Sequence, residues 1–293
     1  MADWTLPILA SALFLGIYDV FKKHAVRDNS VMPVLFLATL SGTVFFMVLT
    51  GAKMYFAPFK LCCTPEILGL VFLKSLLVSA SWAFVYYGLR ELPVSIASPL
   101  RATGPFWSVF GAIILFGEIP HGMQYPGMIL ILAGYLLFTL IGKKENFSWH
   151  SKGILFTMTG TLLGAGSALY DKFLLGTKHF DPVSLQFHFS WMLVVILGAA
   201  LLIKHLFGSS SGKFQWRWSI IATGVLLILA DALYFYAVSQ PDTRISILSL
   251  LRRSSVIIAF AVGGGIFREK HLLLKGAALA VILGGVAMLS LCK

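Results

Sequence analysis

Residues 95–101 read SIASPLR, and residues 246–252 read SILSLLR. The two stretches stay in register as far as Glu118 and Glu269. Seven of the 24 positions aligned in this way are identical. Arg and Glu are uncommon in such apolar surroundings, so shared composition does not explain their recurrence. We therefore interpret the two stretches as copies within an internal repeat, on which the predicted organisation of the chain is built.

The composition predicts an all-α transmembrane protein. The chain has 293 residues, of which 58% are hydrophobic and 12% are charged, whereas soluble domains carry about 25% charged residues. Its hydrophobic residues are grouped in blocks of about 20, long enough for a helix to cross a hydrocarbon layer of about 30 Å. A soluble core would instead require shorter runs with amphipathic periodicity.

The remaining composition argues against several other classes of protein. The net charge is +11, but Lys and Arg lie mostly between the apolar blocks, as in membrane loops, so no nucleic-acid partner is expected. Three cysteines do not form a disulfide framework, and no metal-ligand spacing or cofactor motif is present. The first apolar block lacks a basic leader and a cleavage site, so we expect it to be retained as a span. No hydrolase, metalloprotease or phosphate-loop motif indicates an enzyme.

The apolar blocks predict ten spans in two sets of five. The spans lie at roughly 4–22, 32–50, 67–89, 95–116, 123–142, 153–175, 182–203, 219–239, 244–267 and 272–291. We predict two repeats, 1–142 and 153–293, because Tyr18-Asp19 near the end of span one recurs as Tyr170-Asp171 in span six. Since five is odd, the second repeat enters from the opposite side of the membrane. The prediction is an inverted-topology repeat.

Charged residues inside the spans are candidates for function, because each costs about 2.5–3.5 kcal/mol at bilayer depth. Asp231 lies roughly 12 and 18 Å from the ends of span eight at 1.5 Å per residue, too deep for its short side chain to reach water. It either lines a water-filled cavity and has a coupling role in transport, or it is a structural acid that is paired or neutral. Lys74 and Arg252 are closer to a helix end, and their long side chains could reach partway to the interface.

Polar side chains form matching stripes on spans four and nine. Span nine carries Ser249, Arg252 and Arg253, and span four carries Ser98 and Arg101. Such a stripe faces the bundle interior or water, or it forms hydrogen bonds that join neighbouring helices.

Aromatic residues and residues near helix ends complete the set of candidates. Trp82, Tyr86 and Tyr234 are predicted to line a substrate site or to pack in the core or the interfacial belt. The two Tyr-Asp pairs, at 18–19 and 170–171, lie near helix ends. We interpret their acids mainly as interfacial charges, with gating as the alternative.

These features resemble the ten-span EamA-type members of the drug/metabolite transporter superfamily. The resemblance rests on the two five-span halves, the Ser-x-x-Ser-x-x-Arg opening of spans four and nine, and the Phe-x-Glu that ends at Glu118 and Glu269. It implies secondary transport of a small metabolite through a central cavity. Spans one, three, four, six, eight and nine would line this cavity. The resemblance also implies a multi-pass protein of a prokaryotic cell (inner) membrane, acting as a monomer or homodimer.

The candidate charges refine this expectation. Lys74, Arg101, Arg252 and Arg253 outnumber Asp231, which favours a solute with a carboxylate or a phosphate, such as an amino acid or organic acid. Asp231 is the candidate for proton coupling. The alternative is a non-transporting component, such as a lipid-carrier flippase subunit or a scaffold. Orientation stays open: loop charges, thirteen against five, favour termini outside the cytoplasm, whereas the family resemblance implies cytoplasmic termini.

Overall fold

The computed structural model is mostly helical over the residues that it describes, with no β-strand among them. These residues are 4–26, 29–56, 64–91, 103–119, 122, 124–141, 152–207, 213–241, 243–255, 276–278, 280, 281, 284, 285 and 288. The helices are α1 (Thr5–Val26), α2 (Val31–Phe56), α3 (Pro65–Glu91), α4 (Gly104–Phe116), α5 (Gln124–Ile141), α6 (Lys152–Lys172), α7 (Pro182–Leu206), α8 (Ser219–Ser239) and α9 (Ile245–Arg253). A π-helical turn, Phe173–Thr177, extends α6.

The all-α membrane fold predicted from the apolar blocks is confirmed. Among the described residues, six helices are long and apolar enough to cross a membrane. Where both are described, the helix bounds agree with the predicted spans to within about six residues. Residues 92–102 and 256–275, as well as most of span ten, lie outside the described residues. The count of ten spans therefore remains a prediction.

Two antiparallel helix pairs form the centre of the bundle. Helix α1 packs against α8, where the Ser11 hydroxyl donates to the Ala230 carbonyl at 2.6 Å and His24 is hydrogen-bonded to Ser219 at 2.9 Å. Helix α3 packs against α6, and the Ser81 hydroxyl donates to the Gly160 carbonyl at 2.7 Å. Short polar side chains thus join helices through hydrogen bonds, as is usual in membrane bundles.

Glycines let α2 and α8 meet backbone to backbone. A Cβ placed on Gly224 would lie 1.9 Å from the Ala38 carbonyl oxygen, and one on Gly42 would lie 2.4 Å from the Gly224 carbonyl oxygen. Only residues without a side chain permit this approach, because backbone cannot move aside as a side chain can. The crossing fixes α8, which carries Asp231 one to two turns further along, against the first half of the chain.

The hydrophobic core is concentrated towards one end of the bundle. Its buried members near this end include Ile8, Val71, Leu174, Leu185, Val238 and Ile245. We call this end the closed face. The opposite end, where Asn29 donates to the Gln215 carbonyl at 2.7 Å and Phe21 packs on Trp218, is called the cavity face.

Glu118 caps the first turn of α9 at the closed face. Its two carboxylate oxygens accept hydrogen bonds from the backbone N–H of Ile245 at 3.0 Å and of Ser246 at 3.1 Å, and from the Ser246 hydroxyl at 2.9 Å. A carboxylate there satisfies N–H groups that have no partner within the helix and complements the positive end of the helix dipole. The closing Glu of the first repeated stretch therefore holds the opening Ser of the second.

Replacing Glu118 by Ala is expected to lower the free energy of unfolding by about 1–2 kcal/mol, because two N–H groups at the start of α9 lose their acceptor. Thermal unfolding of the purified protein in detergent measures the change. Glu118→Gln keeps one acceptor oxygen and should lose less. Glu66→Ala is the control at the same face, because the exposed Glu66 pairs with Lys178 only at 3.5 Å and such pairs contribute about 0–1 kcal/mol. An unchanged melting temperature for Glu118→Ala would contradict the capping role.

Candidate functional site

A cavity of about 320 Å³ lies between the two halves of the chain and extends towards the cavity face. Helices α1, α3, α4, α6, α8 and α9 supply nearly all of its lining, and α2 and α7 contribute one residue each, Leu35 and Phe189. The six main helices correspond to the spans that the family resemblance implies around the cavity. Small residues on α6, spaced three or four apart, form one wall and leave the space open.

Arg252 and Asp231 form an ion pair on the cavity wall. Arg252 Nη2 donates to Asp231 Oδ1, and the Arg252 guanidinium stacks on the Tyr234 ring with 4.1 Å between its carbon and the ring centroid. Both charged side chains keep contact with the cavity, since Arg252 is 21% and Asp231 17% exposed. Asp231 is therefore both paired and cavity-lining, two roles that the sequence presented as alternatives.

Lys74 and Asp171 form a second ion pair, which joins the two halves of the chain. Lys74 Nζ donates to an Asp171 oxygen, and the two side chains are only 2% and 5% exposed. The ammonium also lies 4.3 Å from the Phe189 ring centroid and 4.8 Å from that of Phe235. These cation–π contacts enclose the charge on its apolar sides.

The placement of Asp171 corrects its interpretation as an interfacial charge. Although it lies near the end of α6, the π-helical turn continues the helix beyond it, and the residue is buried and lines the cavity. Asp19 is half-buried and also lines the cavity. Both acids therefore add to the cavity's negative charge, which the sequence-based count attributed to Asp231 alone.

The charge balance of the cavity is close to even. Its cations are Lys22, Lys74, Arg252 and Arg253, and its carboxylates are Asp19, Asp171 and Asp231. The excess of positive charge is thus one among the described residues, smaller than the sequence suggested. An added monoanion would be nearly neutralised there, whereas a dianion would carry uncompensated charge into a poorly solvated space.

The structure gathers most of the predicted residues around this cavity. Tyr18, Trp82, Tyr234, Ser249 and Arg253 line it together with the charged residues above. Tyr170 does not line it and packs against the core instead, where its hydroxyl donates to the Leu70 carbonyl at 3.3 Å. Ser98 and Arg101 lie outside the described residues, as does the side chain of Tyr86.

Several cavity residues were not predicted from sequence. They include Ser81, Ser108, Thr161 and Ser167, together with Phe189 and Phe235 beside Lys74. On α6 the signal was present, because Gly160, Gly164, Ser167 and Asp171 recur every three or four residues and therefore share one helix face. Phe189 carried no such signal, since it is one of many aromatic residues in the spans.

Comparison with known proteins shows a family similarity over the first half of the chain. Residues 4–140 match the EamA-like transporter family, which confirms the predicted resemblance over the first half and indicates a membrane transporter of the drug/metabolite type. A solved structure, titled only as the crystal structure of a protein, is similar with a TM-score of 0.74 over 99% of both chains. At 16% identity that likeness shows the fold alone. No curated protein sequence matches the chain.

Proposed function

With residues 4–140 matching the EamA-like transporter family, we propose that the chain is a secondary transporter working by alternating access. Its solute is a small polar metabolite with one carboxylate, such as an amino acid or an organic acid, and the proton is its coupling ion. The proposed location of the protein is a prokaryotic cytoplasmic membrane. The observation that carries the proposal is the central cavity with its accessible Arg252–Asp231 pair.

The size and charge of the cavity support this solute class. Binding sites for small molecules usually measure about 300–1,000 Å³, so a cavity of about 320 Å³ lies at the lower limit and suits a single small metabolite. A guanidinium presents paired N–H donors that match the two oxygens of a carboxylate. The single excess cation favours a monoanion or a zwitterion over a multiply charged solute.

The pattern of helix contacts supports an inverted repeat of residues 1–142 and 153–293. In such a repeat α1 corresponds to α6, α2 to α7, α3 to α8 and α4 to α9. The contacts of α1 with α8, of α2 with α8 and of α4 with α6 each have their repeat-related counterpart in α6 with α3, α7 with α3 and α9 with α1. A two-fold axis in the membrane plane would produce this pairing.

The uneven distribution of core and cavity supports alternating access. The hydrophobic core seals the closed face, whereas the cavity extends towards the other end of the bundle. Two similar halves of opposite orientation can exchange the sealed end and the cavity end of the bundle with little difference in energy. The exchange would expose the same site to the other side of the membrane. The structure would then represent one of two states.

A ligand panel tests the proposal. We expect pyruvate, L-lactate and L-alanine, or one of them, to raise the melting temperature of the purified chain and to enter proteoliposomes, while lactamide, alaninamide, glucose and choline do neither. Each amide matches its acid in shape, so the comparison isolates the carboxylate. Preference for neutral or cationic compounds would contradict the solute class. Absence of any uptake, with every polar residue of the cavity tolerant of substitution, would favour the non-transporting alternative.

A further inference from the structure

The Arg252–Asp231 pair uses only half of the hydrogen-bonding edge that Arg252 offers. Nη2 donates to Asp231, but Nε is buried and has no hydrogen-bond partner in the part of the chain that the structure describes. In a guanidinium, Nε–H and one Nη2–H point from the same edge and fit both oxygens of one carboxylate. A buried donor without a partner is destabilising, so this edge can accept a partner that uses both donors, as Asp231 does not.

We propose that the carboxylate of the solute displaces Asp231 from the Nε–Nη2 edge of Arg252 and that Asp231 takes up one proton as it is released. This inference rests on the proposed function and specifies how that site recognises its solute and couples it to the proton. The exchange converts one ion pair into another. The solute carboxylate becomes the partner of Arg252, and the proton from the cavity solution binds to an Asp231 oxygen.

The pairing of the charges, rather than their sum, favours uptake of the proton. Asp231 shares the cavity with charged groups from four helices: Asp19 and Lys22 on α1, Lys74 on α3, Asp171 on α6, and Arg252 and Arg253 on α9, besides Tyr234 on its own helix. Lys74 is held by Asp171 in the sealed pair. Once the solute occupies Arg252, an ionised Asp231 would lie near the like charge of Asp171 without its own counter-ion, which is costly in a poorly solvated site.

The Arg252–Asp231 pair is also the one that a solute can reach. Its side chains are 21% and 17% exposed, compared with 2% and 5% in the Lys74–Asp171 pair. The Tyr234 ring under the guanidinium holds the plane of Arg252 while its partner changes, since stacking does not depend on which carboxylate occupies the edge. The geometry therefore assigns exchange to one pair and leaves the other intact.

The experiment measures carboxylate binding and proton uptake between pH 5.5 and 8. The probes are pyruvate, L-lactate and L-alanine, whose carboxylates stay ionised throughout this range. Because binding takes up a proton, wild-type affinity should rise as pH falls, by up to about tenfold per pH unit. A pH-indicator dye should register one proton taken up per carboxylate bound. Asp231→Asn, which cannot ionise, should bind with little dependence on pH, and Glu66→Gln at the closed face should keep the wild-type slope.

The outcomes separate this inference from the proposed function. Carboxylate binding without proton uptake, or Asp231→Asn with the full wild-type slope, overturns the displacement while leaving a carboxylate transporter. Failure of all three carboxylates to bind the wild-type chain overturns both. If Asp231→Asn does not fold, proton uptake by the wild-type protein still decides the question.

Discussion

Replacing Arg252 by Ala is expected to lower carboxylate uptake into proteoliposomes about 30-fold or more. The substitution removes the guanidinium that we propose binds the solute, and it also leaves Asp231 without its counter-ion. Truncating one member of a buried, hydrogen-bonded charge pair costs about 2–5 kcal/mol, and each 1.4 kcal/mol corresponds to a tenfold change in affinity. Initial uptake rates at fixed pH, normalised to the amount of reconstituted protein, measure the effect.

Two control variants allow the effect of Arg252→Ala on uptake to be interpreted. Arg252→Lys keeps the charge but loses the planar pair of donors, so uptake should fall to an intermediate value. Arg217→Ala removes an arginine at the cavity face whose side chain donates to the His24 carbonyl at 2.6 Å and does not line the cavity, and it should transport within about twofold of wild type. Wild-type uptake by Arg252→Ala would show that Arg252 is not part of the solute site.

Replacing Lys74 by Met is expected to cause the largest loss of stability, about 3–5 kcal/mol, because it leaves the Asp171 carboxylate buried without a cation. Against the marginal stability of most proteins, a loss of this size would lower the yield of folded, monodisperse protein or abolish it. Size-exclusion chromatography and thermal unfolding in detergent measure the outcome.

A double variant separates charge from packing at the same position. Lys74→Met with Asp171→Leu removes both charges and replaces them with apolar groups, a change that is often neutral or stabilising. We therefore expect the double variant to recover most of the stability lost in Lys74→Met. If the double variant is as unstable as the single one, the cation–π packing of Lys74 against Phe189 and Phe235, rather than its charge, is what the site requires.

The sequence alone determined the all-α membrane fold and identified the unusual charges within the spans. Apolar blocks long enough to span a bilayer predicted the helices, because in lipid the backbone must satisfy its own hydrogen bonds. The cost of charge in hydrocarbon singled out Lys74, Asp231 and Arg252 without any knowledge of their neighbours. Both inferences were possible from sequence because they depend on local composition and on distance along a single helix.

Only the tertiary structure decided which of these residues meet. Lys74 pairs with Asp171, 97 positions away, and Glu118 caps a helix that begins 127 positions later. Hydrophobic periodicity shows which face of a helix is buried but not which helix covers it. The partners are selected by close approach at Gly42 and Gly224 and along the small residues of α6. Burial of Asp171 near a helix end therefore depended on packing between the two halves, which no single segment encodes.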